Sequence, residues 1–250
     1  MIKPTKPETY EYELAPKGTH LARVWKIAFL GTQKSIWEGK EKELDKLRIW
    51  WELPEEAKSW EVEENGKTVT KDGIFSISKE YTFSMGDKSN LRPIVEGIIG
   101  SKLSDDEAWD FDIESIIGMP CLIRVSHQSS KDGNRDFAKV ESTSELMKSQ
   151  TCPPQVNETV IINASEITAE EVEALPDYLR DAIKLSPQFS NRLSEEDKLA
   201  IKNLRDNAIA KREDGGGSAG ETKLGNGGGS AGESKIQYAD GEISPDDIPF

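Results

Sequence analysis

Three strand-like runs, one helical run and two further strand-like runs, in that order, predict a mainly β fold. This is the element order of the OB-fold, a five-stranded Greek-key barrel. Two more observations complete the expectation: two helical stretches follow the last strand, and the composition turns Gly-rich and acidic from residue 213. The chain is therefore expected to divide into an arm (1–17), an OB-type barrel (18–150), a helical appendage packed on it (151–212), a flexible linker (213–239) and an acidic tail (240–250).

The first strand is read at Leu21–Gly31, LARVWKIAFLG, from its β-branched and aromatic content and its closing Gly. The second, Lys46–Leu53, alternates cleanly. Leu47, Ile49, Trp51 and Leu53 point one way and Lys46, Arg48, Trp50 and Glu52 the other, as in a half-buried strand ended by Pro54. A charged stretch containing Asn65-Gly66 and Asp72-Gly73 reads as irregular, and a third strand spans about Ile74 to Ser84. Leu91, Ile94, Val95 and Ile98 then recur at helical spacing, with Ser89 or Asn90 as cap, Pro93 in the first turn and Gly100 as stop. A short helical turn is expected near residues 112–117. The fourth strand is Cys121–His127, and the fifth, Asp136–Glu141, returns through a turn at Asp132-Gly133-Asn134.

Beyond Cys152-Pro153-Pro154, an edge strand is expected at 160–162 and helices at about 169–185 and 194–212, separated by Pro187. From Gly215 the sequence GGGSAGE occurs twice, and ten of the 20 glycines fall after residue 214. Such a stretch cannot bury apolar surface and is expected to be flexible.

The net charge of −14 argues against a polyanionic ligand until its distribution is considered. Residues 1–150 carry 22 basic and 27 acidic groups, whereas residues 213–250 carry 2 and 8. A nearly balanced body leaves room for a local basic groove. No apolar run approaches the roughly 20 residues that span a bilayer, and Met1–Pro7 has no apolar stretch behind its lysines. A cytoplasmic protein without a membrane partner is expected. The two cysteines, Cys121 and Cys152, and the two histidines have no zinc spacing, so buried free thiols and no metal or other cofactor are expected. No phosphate loop or nucleophile–base pattern suggests an enzyme.

The chain ends Asp246-Asp247-Ile248-Pro249-Phe250. These residues resemble the C-terminal tip of bacterial single-stranded DNA-binding proteins. Five given residues at a terminus arise by chance in roughly one chain in a few million. A folded OB domain, a Gly-rich linker and an acidic stretch before a terminal Phe complete the likeness. The resemblance implies that the tip recruits replication, recombination or repair enzymes. Chemically, Phe250 offers a ring to an apolar pocket and its carboxylate to an Arg or Lys, while Asp246 and Asp247 favour basic surfaces. The linker gives the tip a reach of roughly 30 Å. Within the body, GTQ at 31–33, WELP at 51–54, ISKEYTFS at 77–84, KSNLR at 88–92 and GMPCLIRVSH at 118–127 look like a phage-encoded family from replication and recombination gene clusters. The expected partners are thus single-stranded DNA and the tail's protein targets.

Binding single strands without sequence preference requires aromatic faces for bases and cations for the backbone. On the second strand, Trp50 shares the expected outward face with Lys46 and Arg48. Trp37, Lys34 and Lys40 fall in the expected loop between the first two strands, a common OB-fold binding element. Lys79, Tyr81 and Phe83 share a face of the third strand, and Arg124 on the fourth lies opposite Cys121, Ile123 and Val125. The alternative reading is an accessory or scaffold protein that uses the tail without binding DNA.

Overall fold

A computed structural model describes residues 13–37, 40–64, 67–130 and 136–194. The expected linker, the tail with Asp246–Phe250 and most of the 194–212 helix lie outside the described residues. The fold is mainly β, a six-stranded antiparallel sheet accompanied by short helices. Its strands are β1 (Gly18–Trp37), β2 (Lys40–Glu64), β3 (Lys67–Thr82), β4 (Pro120–Ser129), β5 (Asp136–Ser144) and β6 (Val160–Asn163). The order is β3-β2-β1-β4-β5, with β6 paired to β1. Strand β5 also lies beside β3, where the Lys79 ammonium donates to the Val140 carbonyl at 3.1 Å.

The first three strands exceed their expected lengths. The expected loop around Lys34 and Lys40 is instead strand, as is the charged stretch after Pro54. Proline fits extended backbone and loses only one donor, so β2 continues through Pro54. Asn65-Gly66, the turn signature for a tight hairpin, falls between the end of β2 and the start of β3.

Two compact units are present among the described residues: 13–27 with 48–160, and 28–47 with 161–194. In the first, strand alternation places Ala22 and Val24 of β1, Trp51 and Leu53 of β2, Ile77 and Tyr81 of β3, and Cys121, Ile123 and Val125 of β4 in the core. Helix α1 (Leu91–Ile99) buries Leu91, Ile94, Val95 and Ile98 as expected, each such side chain contributing about 2 kcal/mol. Ser89 Oγ accepts from the Leu91 amide at 3.0 Å, and Gly100, at φ 73°, ends the helix. The helix packs on the backbone of β5. Thr143 Oγ1 donates to the Ile94 carbonyl at 2.7 Å, and a Cβ at Gly97 would stand 2.4 Å from the Thr143 carbonyl oxygen. Next come α2 (Asp105–Trp109), opened by a Ser104–Glu107 capping box, and a 3₁₀ turn at Ile113–Ile116.

The histidines of this unit hold the segment before β1. His20 Nε2 meets the Pro16 carbonyl at 2.8 Å and Nδ1 meets Glu56 at 2.7 Å, while His127 Nε2 meets the Ala15 carbonyl at 2.8 Å. Both cysteines are free and buried, and burial pushes the Cys121 thiol up to about 12. Such a thiol is inert.

In the second unit, β6 extends the later part of β1, with Ala164 N donating to the Phe29 carbonyl at 3.0 Å. The expected 169–185 helix is two helices, α3 (Ala169–Glu173) and α4 (Asp177–Leu185), because Pro176 has no amide for a continuous ladder. Pro187, expected as a separator, opens a third, α5 (Pro187–Ser190), where its missing amide costs nothing. Gln33 of β1 donates to the Ala182 carbonyl at 2.9 Å. Ala28, Leu30, Ile162, Val172, Leu179, Ile183 and Phe189 are buried.

Candidate nucleic-acid interface

On β3, Phe75 and Ile77 are buried and Ser76 is exposed, so the even-numbered positions there face outward. The Trp25 indole of β1 donates to Ser76 Oγ at 2.9 Å and therefore belongs to this outer face. So does Arg48 of β2, which donates to Ser78 Oγ at 3.4 Å and pairs with Glu80 at 3.5 Å. Trp50 shares its parity with Arg48. The outward direction expected for Arg48 and Trp50 is thus the observed one.

Their exposure is not. Lys46, Arg48 and Trp50 retain only 6%, 4% and 7% of their surface, so β2 is covered on both faces rather than half-buried. Lys26 of β1 places its ammonium 4.8 Å from the Trp50 ring centre and 5.9 Å from that of Trp25, and the Arg48 guanidinium lies 5.8 Å from Trp50. Long cationic stems lie along apolar surface readily, and an ammonium over an indole gains from the ring's negative face. Further along β2, Glu52 is fully buried because residues 156–157 cover it. Its carboxylate accepts from the Val156 and Asn157 amides at 2.9 Å and from Asn157 Nδ2 at 2.7 Å.

Lys26 differs from Arg48 in its electrostatic company. Arg48 has Glu80, whereas no carboxylate among the described residues pairs with Lys26. Burial pushes the Lys26 ammonium below the usual lysine range. A half-buried, carboxylate-free cation between two tryptophans is chemically suited to an incoming anion.

The remaining expected site residues are scattered. Lys34 and Lys40 are exposed, the former 3.8 Å from Glu43. Trp37 ends β1, and its side chain lies outside the described residues. Lys79 and Tyr81 belong to the inward face of β3. The Lys79 ammonium sits 5.2 Å over the Tyr81 ring, and Tyr81 is 3% exposed with its hydroxyl pKa raised by burial. Phe83 falls just past the end of β3 and is half-buried. Arg124 is exposed, opposite buried Cys121, Ile123 and Val125 as expected, and stands between Thr19 of β1 and Ser142 of β5. The structure therefore joins Arg48 and Trp50 to two residues that sequence reasoning missed, Trp25 and Lys26. Their adjacency inside an apolar strand was the available signal.

A second aromatic site lies farther along β2 and β3. Trp60 is 40% exposed, its ring against Gly73, and the Lys58 ammonium lies 5.2 Å over the Phe75 ring. Trp109 on α2 is 67% exposed, but residues 104–114 hold six acidic groups and no basic one. Among the described residues no His, Cys, Asp and Glu side chains gather into a metal-binding set, and no helix is long and apolar enough to cross a membrane. Compared with protein-family models the chain matches none, and compared with curated proteins it likewise finds no match.

Proposed function

We propose that this chain binds single-stranded DNA without strong sequence preference, through the outer face of β1–β3, and recruits replication, recombination or repair enzymes through Asp246–Phe250. The observation that carries the reading is the Trp25–Lys26–Arg48–Trp50 group, two indoles and two cations close together on β1 and β2, with no acidic partner for Lys26 among the described residues. Stacked bases contribute about 1 to 3 kcal/mol each and cations hold the phosphates, which is the chemistry this group offers.

The architecture supports the same reading. The order β3-β2-β1-β4-β5, with β5 beside β3 and α1 between β3 and β4, accords with a five-stranded OB barrel carrying β6 as an addition. The C-terminal likeness to bacterial single-stranded DNA-binding proteins supports the recruiting role, and a phage origin accords with the body's resemblance. The bound strand and the tail's targets place the protein in a cytoplasm.

Titrating the full chain with oligothymidylate while following tryptophan fluorescence tests the reading. Quenching that high salt reverses is expected; no complex even at low salt overturns it. The net charge of −14 favours the scaffold alternative, which predicts that second result. Deleting residues 240–250 is expected to abolish capture of partner enzymes while DNA binding persists or tightens. Capture that survives the deletion removes the tail from the proposal.

A further inference from the structure

We infer that Lys26 and Trp50 form a subsite for one nucleotide of a single strand, in which the base takes the Trp50 face now under the ammonium while that ammonium moves to the phosphate. The inference rests on the single-stranded DNA reading and specifies how the buried indole participates.

Trp50 as it stands is too covered to stack on a base, at 7% exposure. The two cations near its ring differ in what holds them. Arg48 is anchored to β3 through Ser78 and Glu80, so it stays where it is. Lys26 meets only the rings of Trp25 and Trp50, with neither a hydrogen bond nor a carboxylate among the described residues. Its four-carbon stem can therefore swing without breaking a directed bond. Trp25, whose indole N–H donates to Ser76 Oγ at 2.9 Å, is held to β3 and keeps its ring beside the ammonium.

The exchange improves both partners. The ammonium leaves a poorly solvating position for a phosphate oxygen, a charge partner it does not have among the described residues, and the indole trades a cation for a base of matching shape. The ligand class follows. A base inside a duplex has no free face to present, whereas an unpaired base does. Sequence preference is weak because every base has a face to stack.

The test uses the full chain labelled with 5-fluorotryptophan, whose Trp50 resonance is identified by Trp50→Phe. Saturating oligothymidylate is expected to shift that resonance, while an equal concentration of duplex leaves it in place. Lys26→Met keeps the stem and removes the charge. In that variant the slope of log affinity against log salt is expected to fall by about 0.7, the loss of one phosphate contact on a single strand. If oligothymidylate binds but the Trp50 resonance stays put, or the Lys26→Met slope equals the native slope, the subsite is wrong and the DNA-binding reading stands. If the native chain binds no oligothymidylate at low salt, both are wrong. Trp50→Phe keeps an aromatic ring in the packing and so preserves the assignment, and the resonance of the native chain carries the test where Lys26→Met impairs folding.

Discussion

The outer face around Trp50 and the segment around Trp109 present tryptophan in opposite ways. Trp109 is 67% exposed among six acidic residues, and Trp50 is 7% exposed beside Lys26 and Arg48. If exposure alone selected a stacking platform, Trp109 would be the choice. A nucleic acid must also bring its phosphates close, and at Trp109 each phosphate meets carboxylates. The cations near that segment are already committed: Arg92 bonds Asp87, Glu96 and Asp105, and Lys102 bonds Glu96. The company of an aromatic ring decides what it can bind more than its exposure does.

The largest expected effect tests the covered ring. Trp50→Ala should weaken oligothymidylate binding by about tenfold or more, and it should lower unfolding stability by about 3 kcal/mol because it also opens the packing there. Fluorescence titration and urea denaturation measure the two losses. Unchanged affinity in a folded variant would break the comparison at its stronger side.

An acid titration addresses how firmly the other region is held. Lys102 first, then the Leu103 amide and Arg92, holds the Glu96 carboxyl below the usual carboxylate range. A lowered folded pKa stabilises the fold above the ordinary carboxylate value, and this contribution disappears as pH falls through the lowered one. The melting temperature of the native chain should therefore exceed that of Glu96→Gln at neutral pH, and the gap should close as the pH drops below about 4.

Reversing charge near Trp109 probes the repulsion directly. The double substitution Asp106→Lys and Asp110→Lys should raise oligothymidylate affinity at low salt by about two- to threefold, with the gain lost at high salt. The smallest expected effect is that of Trp109→Ala, which should change affinity by less than about twofold if stacking occurs elsewhere. A larger fall would move the DNA to this acidic surface and reverse the comparison.

Much of the fold was legible because it depends on local periodicity. Helix α1, from its cap region to Gly100, and the alternation of β4 around Arg124 lie where pattern places them. The direction in which Arg48 and Trp50 point was legible too, since parity fixes it. Their coverage was not, because the covering group on Trp50 belongs to β1, 24 residues earlier in sequence, and the one on Glu52 to residues 156–157. Pro54 and the charged stretch after it concealed the long β2–β3 pairing, and with it Lys58 and Trp60. Local sequence records which way a side chain faces; what lies over it is a property of chain segments that pattern does not connect.

Gly97 draws a sharper line. A single methyl there would meet the Thr143 carbonyl oxygen at 2.4 Å, so no rotamer of any larger residue relieves the collision. In a library with every codon randomised and only folded variants retained, position 97 should therefore hold one letter, while its neighbours on the exposed side of the helix hold many. That lone column would mark, from sequencing counts alone, the point at which a helix and a strand lie backbone against backbone.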